Sequence, residues 1–130
     1  MRLVPGQDHE QVNDMLADHL KSLCPSTMKL EIERDGHTAP PASISIDSNA
    51  YRAAAKAYET AWGKTPIPTK DGGSIPVVAL FQDTLGSDVV MMGFGLDSDV
   101  IHSPDENFGI ENFLKGIETV AEFHQIFAKK

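Results

Sequence analysis

The chain has 130 residues, enough for one ordinary domain with a real core. It is 41% hydrophobic and 23% charged, with its ten glycines and eight prolines spread out, which is the composition of a soluble globular protein with no low-complexity stretch or solenoid repeat. Nineteen acidic residues against eleven basic ones leave a formal charge of −8, and the only basic cluster is the terminal Lys129-Lys130 pair. Nucleic acid is thereby excluded as a partner, since binding it needs a basic face, and anionic membranes are disfavoured for the same reason.

Cys24 is the only cysteine, so no intrachain disulfide exists and a reducing compartment suits the chain. Between Leu23 and Pro25 it reads as a small buried hydrophobe rather than a nucleophile. The apolar runs from Ile75 to Phe81 and from Val89 to Phe94 are too short to span a bilayer, and residues 1 to 5 carry no signal region. The expected location is cytoplasmic.

In chain order, residues 1 to 4 have strand character and stop at Pro5-Gly6. Asp8 caps a helix, with Gln11 as its capping-box partner three residues on. Val12, Met15, Leu16, Leu20 and Leu23 form its apolar stripe, and Pro25 ends it. Met28, Leu30 and Ile32 alternate with Lys29, Glu31 and Glu33, the pattern of a half-buried strand. The loop from Asp35 to Asp47 is the best internal boundary. Asp47 or Ser48 caps a second helix, whose face of Tyr51, Ala54, Ala55, Tyr58, Ala61 and Trp62 runs to a closing Gly63.

Residues 66 to 69 read as a short extended piece, and Val77 to Leu85 as a third helix ended by Gly86. Val89 to Phe94 has the continuous apolar character of a strand covered on both faces. A polar loop from Gly95 to Asn107 leads to a last helix from about Ile110 to Ala128, with Phe113, Leu114, Ile117, Val120, Ala121 and Phe127 facing inward. Helices alternating with short apolar strands predict an α/β layered architecture.

Two stretches carry residues suited to chemistry. Gly72-Gly73-Ser74 stands at the start of the third helix, with Pro76 in its first turn. Glycines admit a ligand close to the backbone, and helix N-terminal N–H groups favour an anion; the plainer reading is a capping serine after a turn, and by pattern alone it is preferred. Ile101-His102-Ser103-Pro104-Asp105-Glu106 follows a buried strand, where α/β sheets bind ligands. His102, with Asp97, Asp99, Asp105 and Glu106 near it in sequence, suits a metal ligand with a carboxylate outer shell. A surface histidine among solvated acids fits the same pattern as well. His9, His19, His37 and His124 read as structural, and no HExxH, Walker loop or Gly-x-Ser-x-Gly elbow is present.

Three blocks together are more specific. Residues 2 to 8 (Arg-Leu-Val-Pro-Gly-Gln-Asp), 72 to 77 (Gly-Gly-Ser-Ile-Pro-Val), and 102 to 106 (His-Ser-Pro-Asp-Glu) with Phe108 and Glu111-Asn112-Phe113 resemble successive blocks of one zinc metallopeptidase family. It is the family of carnosinases, other cytosolic dipeptidases, aminoacylases and succinyl-diaminopimelate desuccinylase. The separations fit as well, 72 residues from Arg2 to Ser74 and 28 from Ser74 to His102, and the likeness is to the C-terminal portion only, nearest the dipeptidase branch.

The resemblance implies residues 1 to 36 as the closing β-α-β piece of a ferredoxin-like lid and dimerisation domain. Residues 37 to 130 become the C-terminal portion of a three-layer αβα catalytic domain of zinc-exopeptidase type. It implies His102 as a zinc ligand, Arg2 as the partner of the substrate carboxylate, and Gly73 and Ser74 as the loop that holds substrate nearby. Asp105 stands where Asn is usual, and Gly109 where a capping Ser is common. The implied cofactor is a two-metal zinc site, with cobalt or manganese as substitutes. The implied partners are a small peptide or N-acyl amino acid substrate, the N-terminal half of the enzyme, and a second copy in a homodimer of the intact protein. The family's His-x-Asp motif, its Glu-Glu pair and one further acidic ligand are not in these 130 residues. The chain is therefore expected to be a fragment beginning at an internal methionine, and inactive by itself. Two other readings stand beside it: a non-catalytic binding or dimerisation module or split-gene half, and an aminoacylase of the same family.

Overall fold

The computed structural model describes residues 1–34, 36, 38–70 and 75–129. Among them are four α-helices: α1 (His9–Leu23), α2 (Asn49–Trp62), α3 (Pro76–Leu85) and α4 (Ile110–Phe127), with a short 3₁₀ turn at Asp97–Asp99. The chain divides into two compact units. One comprises Met1–Ser43 with Lys70–Ser87, the other Ile44–Thr69 with Asp88–Lys130.

In the first unit, Val4-Pro5-Gly6-Gln7 closes a turn. The Gln7 N–H donates to the Val4 carbonyl at 3.2 Å, and Gly6 takes the positive φ of 89° that such a turn demands of its third residue. Asp8 then caps α1, its Oδ1 accepting the Gln11 N–H at 2.8 Å. Helix α1 buries little beyond Ala17, and Met15 and Leu23 are exposed. Leu16 and Leu20 line a groove of about 330 Å³ with Ile32, where Arg34 donates to Asp14 at 2.6 Å. The Asp14 hydrogen bond and charge raise the Arg34 pKa, a surface effect. Only the end of the alternating segment reaches α1: Ile32 lines the groove, whereas Met28, Leu30 and Ile32, expected as a half-buried face, are all exposed. Cys24 is half-buried rather than fully enclosed.

Helix α3 starts with Pro76 in its first turn, is preceded by Ile75 at the N-cap, and stops at Gly86 with φ 58°. The reading of Ser74 as a cap, like that of the glycines before it, lies outside the described residues.

The second unit contains the helix pair. Ser48 caps α2, its Oγ accepting the Tyr51 N–H at 3.1 Å, and Gly63 ends it in the left-handed region at φ 67°. The buried side of α2 is alanine: Ala50, Ala53, Ala54, Ala57 and Ala61. This stripe includes Ala50, Ala53 and Ala57, which the expected face omitted, while Tyr58 and Trp62 sit half-buried at its edge. Helix α4 packs on it, with buried Thr119 and half-buried Lys115 and Ile126 against α2. Small side chains on both helices let the backbones approach, and polar bonds finish the contact. The Trp62 indole N–H donates to Thr119 Oγ1 at 2.9 Å, and the Lys115 ammonium donates to the Ala61 carbonyl at 2.7 Å, a cation at a helix C-terminus.

Two expectations are corrected here. Phe113, Leu114 and Ile117, expected to face inward, are 56%, 59% and 54% exposed, and Val120, Ala121 and Phe127 are exposed as well. Periodicity located the bulky stripe of α4, but the opposite, small-residue stripe is the one that packs on α2. In addition, none of the segments expected as strands is a strand among the described residues. A strand exists only through hydrogen bonds to a neighbouring segment, and residues 28–34 and 89–94 have none beside them to complete a ladder.

Candidate functional site

The apolar segment ending at Phe94 is held against the helix pair. The Tyr58 hydroxyl donates to the Gly93 carbonyl at 2.7 Å, its ring lies 5.4 Å from that of Phe94, and Asn112 Nδ2 donates to the Phe94 carbonyl at 3.1 Å. Gly116 gives the Phe94 ring its seat: a Cβ there would lie 3.1 Å from Phe94 Cδ2. Burial raises the Tyr58 pKa above its ordinary value.

From this anchored point the chain enters the loop that carries His102. The Leu96 N–H donates to Asp99 Oδ2 at 2.8 Å, and the Asp99 N–H returns a bond to the Leu96 carbonyl at 3.0 Å. Tight turns follow, Ser103 N–H to Val100 carbonyl at 3.0 Å and Glu106 N–H to Ser103 carbonyl at 3.3 Å. The Asn107 N–H donates to the Asp99 carbonyl at 3.0 Å and closes the base of the loop. Glu106 Oε2 accepts the main-chain N–H of His102 at 3.3 Å.

Three non-glycine residues in this loop have left-handed backbones: Val100 (φ 54°), His102 (φ 64°) and Asp105 (φ 65°). His and Asp tolerate that region better than most residues, so His102 and Asp105 cost their turns little. For β-branched Val100 the conformation is unfavourable by about 1–3 kcal/mol, the kind of local strain that clusters at functional sites. Residues 100 to 108 are all exposed while Asp99, beneath them, is 3% exposed.

Sequence-based site residues fare differently. His102 stands on this closed loop in the second unit, and Arg2 is exposed in the first. Gly73 and Ser74 lie outside the described residues. The acids near His102 do not form a shared donor set: Asp99 is committed to Leu96, and Glu106 binds the His102 main chain. Among the described residues no group of three or more His, Cys, Asp or Glu side chains is placed to hold a metal ion. One exposed imidazole suits one position in a zinc shell and no more. Periodicity missed Thr119 and Lys115, which bond the Trp62 indole and the Ala61 carbonyl, and Asp99, one of the acids near His102 in sequence, bonds the Leu96 N–H instead of facing the imidazole. No helix among the described residues is long and apolar enough to cross a membrane.

The model of peptidase family M20/M25/M40 matches residues 3–125, and the chain belongs to that family, a family of metal-dependent peptidases with an α/β fold. Among similar proteins, the Cys-Gly metallodipeptidase of Saccharomyces cerevisiae is 33% identical over 99% of this chain and 27% of its own length. That of Candida albicans is 29% identical over the same shares, and the human Beta-Ala-His dipeptidase is 29% identical over 95% of this chain and 25% of its own length. The chain thus spans about a quarter of the length of the curated relatives it matches.

Proposed function

We propose that this chain is the C-terminal portion of a metal-dependent dipeptidase that cleaves a peptide bond with metal-activated water. Residues 1–36 belong to a lid and dimerisation domain, and residues 37–130 to an αβα catalytic domain. The observation that carries the reading is the pair of faces on α4. Its small-residue face is closed by α2, whereas Phe113, Leu114 and Ile117 are more than half exposed on the other. Isolated apolar residues are common on surfaces, but a bulky stripe along a whole helix marks a surface made to be covered. The remaining three quarters of the relatives' length is what covers it in this reading.

In that assembly His102 holds one metal of a two-zinc site, for which cobalt or manganese substitutes. Such a metal, held there, would supply the Lewis acidity that activates a water molecule for attack on the scissile carbonyl. Arg2 pairs with the substrate carboxylate through its guanidinium fork, and Gly73 and Ser74 hold the substrate close to it. The other ligands and the general base come from the N-terminal half, so the chain alone is inactive, and the intact enzyme is a homodimer.

The test is complementation. The chain is co-expressed with the portion of the Saccharomyces relative outside the match, and hydrolysis of Cys-Gly, β-Ala-His and N-acetyl amino acids is measured with zinc or manganese. Activity on dipeptides is expected only when both parts are present, and His102→Ala should abolish it. Turnover of N-acyl substrates alone would make the parent an aminoacylase. Turnover that survives His102→Ala would remove the proposed ligand.

A further inference from the structure

We infer that Asp99 is the positioning residue for His102: its buried side chain fixes the first turn of the loop, and its main chain fixes the last. This rests on reading His102 as a metal ligand.

Asp99 is 3% exposed in a loop whose next nine residues are all exposed. A carboxylate is rarely buried so far without hydrogen-bond partners, and here Oδ2 accepts the Leu96 N–H at 2.8 Å. Its own carbonyl accepts the Asn107 N–H at 3.0 Å, so one residue ties the two ends of the excursion from Leu96 to Asn107 to a single point. Gly95 packs beneath: a Cβ there would meet Asp99 Oδ2 and Ile101 Cδ1 at 3.5 Å and Phe108 Cε2 at 4.0 Å. Floor, side chain and both ends of the loop therefore meet around Asp99.

The enclosed turns hold His102 at φ 64°, between two further left-handed residues. Such a conformation persists only where the surroundings over-determine it. The restraints nearest His102 are exposed, whereas the Asp99 clamp is shielded from water and correspondingly stronger. A metal ligand gains from being held in place before the metal arrives, because a freely rotating side chain loses entropy on binding. Asp99 supplies that restraint without touching the metal.

The test has two arms. In the isotope-labelled full chain, a residue at positive φ gives a strong amide-to-Hα cross-peak within itself. It is expected at His102 in the wild type and in Asp99→Asn, whose amide oxygen still accepts from Leu96. In Asp99→Ala the cross-peak should weaken, and the Asn107 amide should exchange about tenfold faster, as for the loss of one charged hydrogen bond. Trp62 fluorescence should stay unchanged and show that the helix pair is intact. In the complemented assembly, zinc retained after dialysis should fall several-fold in Asp99→Ala and remain near wild type in Asp99→Asn. Should Asp99→Ala fail to fold, Asp99→Ser, too short to reach the Leu96 N–H, carries the same comparison. An unchanged cross-peak and Asn107 exchange in the alanine variant would overturn the clamp. A disordered loop with full zinc retention would overturn the positioning role. Full zinc retention in His102→Ala would instead refute the ligand reading, with the loop measurement still scoring the clamp separately.

Discussion

The two units of the chain have reached different degrees of completion. The unit around α2 and α4 encloses a run of alanines, Gly116, Thr119 and a buried carboxylate, and its polar groups find partners within the unit: Trp62 with Thr119, Lys115 with Ala61, Asp99 with Leu96. Among the described residues the unit around α1 and α3 buries only Ala17, Val78 and Ala79, and its two helices do not pack on each other. The difference follows from side-chain size. Alanine and glycine faces allow two helices to close directly on each other, whereas stripes of Leu, Met and Phe need a broad second surface, normally a sheet. In the reading proposed above, the bulky faces left open here are the ones that the rest of the enzyme covers.

The largest effect expected from breaking the closed unit comes from Gly116→Leu. A side chain there meets Phe94 Cδ2 at 3.1 Å and Cγ at 3.2 Å from the Cβ onward, so the ring must leave its seat and take the anchored segment with it. A destabilisation of about 3 kcal/mol is expected, the upper end for overpacking, in urea unfolding followed by Trp62, the only tryptophan. Gly116→Ala should be close to neutral, since about 1 kcal/mol of helix propensity offsets the milder crowding. A tolerated leucine would mean that the Phe94 seat contributes little.

Next in size is Thr119→Val, which keeps the shape and removes the hydroxyl. Thr119 is 0% exposed, and its Oγ1 both accepts from Trp62 and donates to the Lys115 carbonyl at 2.6 Å. Leaving the indole N–H without a partner should cost about 2 kcal/mol and shift the Trp62 emission. The open faces should behave in the opposite way. Leu114→Ser and Leu23→Ser, at positions 59% and 64% exposed, should change the stability of this chain by less than about 0.5 kcal/mol. In the complemented assembly the same Leu114→Ser should cost about 2–3 kcal/mol, because the side chain is then buried. Equal small effects in both settings would mean that nothing covers α4.

This contrast also explains what could be read from the residues beforehand. All four helices were legible: Asp8, Ser48, Gly63 and Gly86 start or stop three of them through contacts a few residues long, and apolar periodicity marks α4. The strands were not, since the alternation at Met28–Ile32 specifies a face but not a neighbour. The inward face of α4 was misjudged for the same reason. Hydrophobic periodicity names the stripe that seeks burial, and it cannot tell whether the covering surface lies within the same unit. At the site, the block beginning at His102 stood out by resemblance, whereas Asp99 was legible only as one of the acids near it in sequence, because its burial and the bond its side chain accepts from the Leu96 N–H depend on how the loop folds.

The smallest expected effect tests the edge of the closed unit through pH. Tyr58 is half-buried, and burial, which penalises the phenolate, raises its pKa. The folded state therefore holds its proton more tightly than the unfolded chain, whose tyrosines titrate near about 10. The resulting stabilisation is fully present below that pH and is lost as the pH climbs through the higher folded-state value. Ionisation also removes the proton donated to the Gly93 carbonyl, so the anchored segment loosens as stability falls. The Tyr58 Cζ resonance should titrate above the ordinary range, and the stability gap between wild type and Tyr58→Phe should narrow with rising alkalinity. A gap that is constant through that range would mean that the ring is solvated in both states, and that the closed unit ends at Trp62 and Thr119 rather than at the segment leading to His102.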